Sequence, residues 1–123
     1  MAKAPDYAPL TAFLCRVPAI QEPTIATGMS GRYWWAKFAI DIVHPKAWNV
    51  VQEFGYVLNH LSVNERLPTA FKPISPPPYL NGGPQQFLAW VIETTDPYFT
   101  PENAVEWLEG RLPRPVEDLS KWR

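Results

Sequence analysis

Few residues in this chain are equipped for acid–base or nucleophilic work. It holds two histidines and one cysteine in 123 residues. His44 stands where a strand-like alternation stops and a helical period begins, beside amides that a helix start leaves free for an anion. Asp41 precedes it by three residues, and Glu93 lies further along. These three are the candidate catalytic residues: an imidazole able to move a proton near neutral pH, with carboxylates to orient or assist it. The plainer reading has His44 capping its helix or facing solvent, and a lone histidine carries that reading by default. His60 falls one residue before Leu61, near the expected helix end, where a protonated ring suits the dipole. Asp41, Glu93 and Asp96 would have to converge at strand ends to hold a cation. Without tight spacing, three carboxylates more often form a solvated rim.

Other chemistry has less to stand on. Cys15 has no neighbouring base, so a small buried thiol is expected, and no second cysteine exists for a disulfide or a paired zinc site. No glycine-rich phosphate loop, nucleophile elbow or His-x-x-x-His pair occurs, and no cofactor or metal is expected. Eleven basic residues against twelve acidic ones argue against duplex nucleic acid. Neither a signal-peptide core nor an apolar run long enough to span a bilayer is found, so the expected location is cytoplasmic. Apolar residues at 46% and charged ones at 19% are those of one globular domain. The chain has fifteen prolines, against about six at average usage, and they fall mainly between periodic segments, where they mark boundaries.

The elements that must position these residues follow from periodicity. Residues 1–30 read as an extended, proline-containing arm, within which 10–17 form an edge strand bracketed by prolines. A single α+β domain spans 31–115, and 116–123 are a C-terminal tail with one more turn. Residues 32–43 form the clearest strand. Trp34, Ala36, Phe38, Ile40 and Ile42 make one apolar parity; Tyr33, Trp35, Lys37, Ala39 and Asp41 make a mixed one. A helix follows from Pro45 at its first position to about 62–65. Its stripe is Ala47, Val51, Phe54, Leu58 and Leu61, widened by Trp48, Val50 and Val57. Gly55 would allow it a close crossing over the sheet. Strands over 69–75 and 86–94 flank a turn. Thr100-Pro101-Glu102-Asn103 starts a second helix, and Gly110 ends it. The result is a two-layer α+β sandwich in the order β-α-β-β-α, with a mostly antiparallel sheet, helices on one face and an extra N-terminal edge strand.

A tight turn at Asn81-Gly82 or Gly82-Gly83 sorts the hairpin residues between faces. Phe71, Leu88, Trp90 and Ile92 join the core under the helices. Lys72, Ile74, Phe87, Ala89, Val91 and Glu93 join Tyr33, Trp35 and Lys37 on the other side. Large apolar groups there suggest an interface, unless the N-terminal arm folds across them. The expected anchors are Tyr33, Trp35 and Phe87, with Lys37 and Lys72 at the rim, and the expected partner is a second copy in a homodimer, or another protein. Two alternatives are a small enzyme at His44, Asp41 and Glu93, and a single-strand nucleic-acid binder stacking bases on Tyr33, Trp35 and Phe87, which the near-neutral charge disfavours. Ser75-Pro76-Pro77-Pro78-Tyr79 satisfies a P-P-x-Y docking pattern. With Asn81-Gly82-Gly83 it reads better as a stiff hairpin tip carrying Tyr79.

Overall fold

A computed structural model describes residues 6–60, 67–74 and 87–122. The tip at 75–86, with Tyr79, and the expected helix end at 62–65 lie outside the described residues. The order is α1 (Ala8–Arg16), β1 (Ile20–Ser30), β2 (Tyr33–Asp41), α2 (Ala47–Gly55) continued by a π turn (Tyr56–His60), β3 (Thr69–Ile74), β4 (Phe87–Thr94), α3 (Pro101–Arg111) and a 3₁₀ turn (Leu119–Lys121). The strands form one antiparallel sheet in the order β1-β2-β4-β3. This is an α+β fold with an open sheet, and the helices bury their apolar sides into one core with one face of it.

β2 folds as its alternation predicts. Trp34, Ala36, Phe38 and Ile40 are buried, and the opposite parity is more exposed. Cross-strand register brings Phe38 beside Trp90 and Ala36 beside Ile92, and Phe71 lies beside Ile92 on the other flank. The core face expected for Phe71, Trp90 and Ile92 therefore holds. Phe54 of α2 drops onto this surface, 6.2 Å from Phe38 and 5.6 Å from Phe71 between ring centroids, while Phe71 stacks on Trp90 at 5.0 Å. Offset and tilted rings at these spacings add about 0.5–1.5 kcal/mol per pair beyond the area they bury.

The N-terminal arm is built differently from expectation. Residues 10–17 do not form an edge strand; they lie in helix α1 and its cap. Leu10, Phe13, Leu14 and Val17 stand at i, i+3, i+4 and i+7, and all four are buried. Pro9 fits the first turn, where an amide hydrogen is dispensable, and Pro18 follows the end. The extra edge strand exists, but it is β1. It tolerates Pro23 because its register breaks there, between Gln21 and Ala26. Thr24 repairs the break: its hydroxyl accepts from the Ala39 amide at 2.8 Å and donates to the Gln21 carbonyl.

α2 starts two residues later than expected, at Ala47. Pro45 sits in the preceding turn, where the Lys46 amide donates to Nδ1 of His44 and the Ala47 amide to the His44 carbonyl. The buried stripe is Ala47, Val50, Phe54, Val57 and Leu58; Trp48 does not widen it but stands 55% exposed on the far side. No close crossing occurs at Gly55, where an added Cβ would meet only Asn59, at 3.9 Å. α3 carries its expected start as a full reciprocal cap, Thr100 and Asn103 each bonding the other's backbone amide.

The last residues return to the core. Trp122 is 1% exposed, its indole donates to the Val116 carbonyl at 2.9 Å, and Lys46 Nζ donates to the Trp122 carbonyl. Leu119, three residues earlier, is 44% exposed. Trp122→Ala is therefore expected to cost about 3–5 kcal/mol in urea unfolding. Leu119→Ala should stay within about 0.5 kcal/mol.

Candidate interaction surface

The β3 edge of the sheet is capped by side-chain and backbone contacts with the end of α2 and its π turn. On β3, the Phe71 amide and carbonyl point away from β4 and meet the Asn59 carboxamide, at 2.7 Å and 2.9 Å. The π turn delivers that side chain, which replaces a neighbouring strand for one residue. Thr69 donates its hydroxyl to the Leu58 carbonyl beside it. Pro73 shares the parity of Phe71, so its missing amide falls on the open edge, where no ladder bond is lost. On β1, the Tyr7 hydroxyl donates to the Gly28 carbonyl at 2.8 Å, tying the start of α1 to the strand. Burial raises the Tyr7 hydroxyl above its ordinary value, which keeps the proton on this donor. Prolines, bulges and capped edges are the usual means of blocking strand addition.

The outer face lies opposite the helices, and α1 does not fold across it, since its buried side joins the common core. Four rows follow from the register. Gly28 lies beside Trp35 and Trp35 beside Glu93; Ala26, Lys37, Val91 and Lys72 are aligned; so are Gln21, Ala39, Ala89 and Ile74; Asp41 stands beside Phe87. Trp35 rests on Gly28 so closely that a Cβ there would come within 2.5 Å of the indole. Glycine at this position lets the ring lie flat across the edge strand. The Lys37 ammonium sits 5.3 Å from the Trp35 ring centroid. Lys72 pairs with Glu93 at 2.8 Å.

Val91, on the face that no described helix covers, is 5% exposed. Lys37 and Lys72 flank it on the neighbouring strands, and their charged ends reach Trp35 and Glu93. Those contacts are weak: about 0.5–1 kcal/mol for an exposed cation–π pair and at most about 1 kcal/mol for a surface ion pair. Tyr33, at the strand end, stays 42% exposed.

The remaining candidates are dispersed. Asp41 and Glu93 are on the same face, but Glu93 stands beside Trp35, six residues along β2 from Asp41, or about 20 Å at the strand rise. Asp41 Oδ1 accepts from the Val43 amide, and His44 Nδ1 from the Lys46 amide, so both build the β2–α2 turn. Asp96 Oδ1 accepts from the Tyr98 amide in the loop after β4. Among the described residues, no three His, Cys, Asp or Glu side chains are grouped to hold a metal, and no helix is long and apolar enough to cross a membrane. Cys15 is exposed on α1 rather than buried. His60 ends the π turn.

A cleft of about 450 Å³ lies between α1, the end of α3 and the loop after it, with Phe13 and Val116 among its lining residues. Its arginines already have structural work. Arg16 binds Glu117 through two nitrogens at 3.0 Å and 3.2 Å, and Arg114 Nε donates to the Glu109 carbonyl, an orphan acceptor of the α3 end. Sequence reasoning missed the cleft, Asn59 and Tyr7. Only Gly28 carried a signal, as a glycine in a β-prone run.

The comparisons with known proteins point to no family. No family model matches the chain, and neither the characterised proteins nor the solved structures searched contain a significant match.

Asn59→Ala is expected to lower stability by about 1–3 kcal/mol in chemical denaturation, because it leaves the Phe71 edge unpaired. The Arg16 guanidinium holds the Glu117 carboxyl below its ordinary value, chiefly by hydrogen bonding. The stabilisation is complete above that ordinary value and is lost as pH falls through the lowered one. Glu117→Gln should therefore melt below wild type at neutral pH, and the gap should close on acidification through the carboxylate range.

Proposed function

We propose that this protein is a binding module that associates, first with itself, through the outer face of its sheet. The observation that carries this reading is a sheet face that no described helix covers and that holds Tyr33, Trp35 and Ile74. Such a face can engage a partner by packing against a second sheet. Trp35, Tyr33 and Phe87 are the proposed anchors, with Lys37 and Lys72 at the rim. Phe87 enters by register, as the cross-strand partner of Asp41.

The Lys37 contact is compatible with such a role. Lifting Lys37 frees the Trp35 ring and costs only the weak cation–π contact described above. The association would be of moderate strength, as expected where charged stems must move aside before apolar groups meet.

Sedimentation velocity at tens of micromolar, a range chosen for moderate affinity, tests the reading. The wild type is expected to sediment as a dimer, and Trp35→Glu as a folded monomer with an unchanged circular dichroism spectrum. A wild type that sediments only as monomer would overturn self-association. Unfolding of Trp35→Glu would place Trp35 among residues the fold itself requires.

A further inference from the structure

We infer that the outer face is self-complementary in charge, so that its partner is a second copy packed with its β2 strand running antiparallel to the first and centred on Ala39. The inference rests on the self-association reading above and adds the register, which brings Lys37 in from the rim toward the axis and leaves Trp35 and Tyr33 toward the ends of the contact. Three residues of β2 carry it: Lys37, Ala39 and Asp41 share the outer face at successive outward positions. Lys37 and Asp41 are about 13 Å apart along the strand, with Ala39 midway.

A twofold axis along the row Gln21, Ala39, Ala89 and Ile74 reverses the strand direction and leaves the lateral position unchanged. β2 then lies over β2 of the second copy. Lys37 of each copy faces Asp41 of the other, giving two opposite-charge contacts from one pattern. Packed sheets stand about 10 Å apart, a gap that a lysine and an aspartate reaching toward each other span. The centre of this arrangement is small and already flat: Ala39 is 9% exposed and Ala89 half-buried. Lys72 is neutralised by Glu93 within its own chain, so it adds no charge requirement across the interface. An axis along the strands instead would set Lys37 against Lys37 and Asp41 against Asp41. Like-charge contacts of that kind are disfavoured, which selects the reversed register.

The test is a charge exchange read by sedimentation equilibrium. Lys37→Glu alone and Asp41→Lys alone should each weaken the homodimer about tenfold or more, because each places like charges across the axis twice. Mixing the two variants should restore dimerisation as a heterodimer. The double variant Lys37→Glu/Asp41→Lys should restore it within one chain. Ala39→Arg should abolish dimers without unfolding the chain. If Ala39→Arg abolishes dimers while the charge variants neither weaken nor rescue them, the register is overturned and the face remains the interface. If the wild type is monomeric, or Ala39→Arg leaves dimers intact, self-association through this face is itself overturned. Should Asp41→Lys fail to fold, Lys37→Met and Asp41→Asn replace the reversals. Their combined loss of affinity should then be smaller than the product of the separate losses, and multiplicative losses would overturn the pairing.

Discussion

A sheet has two faces, and the described helices pack on one of them. That asymmetry governs most of the other features. Phe38, Phe71 and Trp90 on the covered side receive Phe54 from α2, and α1, α3 and Trp122 complete the same core. The layer is apolar enough to hold the fold without disulfides. The opposite side has to remain stable in water although it contains Trp35, Val91 and Ile74.

The chain meets that requirement with local contacts instead of another layer. Gly28 gives the Trp35 ring a flat bed, Lys37 reaches over the ring, and Lys72 leans to Glu93. Each contact is small. The β3 edge is treated more firmly. Asn59 satisfies both backbone groups of Phe71. Unpaired strand edges invite uncontrolled pairing, and face packing offers a shaped, saturable alternative.

The sequence carried the parts of the fold that depend on short-range pattern. The alternation of Trp34, Ala36, Phe38 and Ile40 identifies a strand and its buried parity without any partner. The assignment of Phe71, Trp90 and Ile92 to one face follows from the same period, and the Thr100 cap from local hydrogen-bond chemistry. The i, i+3, i+4, i+7 pattern of Leu10, Phe13, Leu14 and Val17 was equally present. Its bracketing prolines suggested an edge strand, although Pro9 suits a helix start as well. The site was legible only as a list of outer-face residues; His44, Asp41 and Glu93 could be named as candidates but not located relative to one another.

What the sequence determined by itself, then, was which side chains share a face, because that is a property of backbone period. Which face receives a cover, which edge is capped and which residues meet were decided by tertiary structure. Trp48 and Phe54 are both aromatic residues of one helix, yet only Phe54 is buried, because α2 turns that side to the sheet. Asn59 is an ordinary polar residue until a π turn aims it at β3. Asp41 and Glu93 share a face but are separated by six residues of register. Such relations depend on how rigid elements pack across long sequence separations, and no local pattern encodes them.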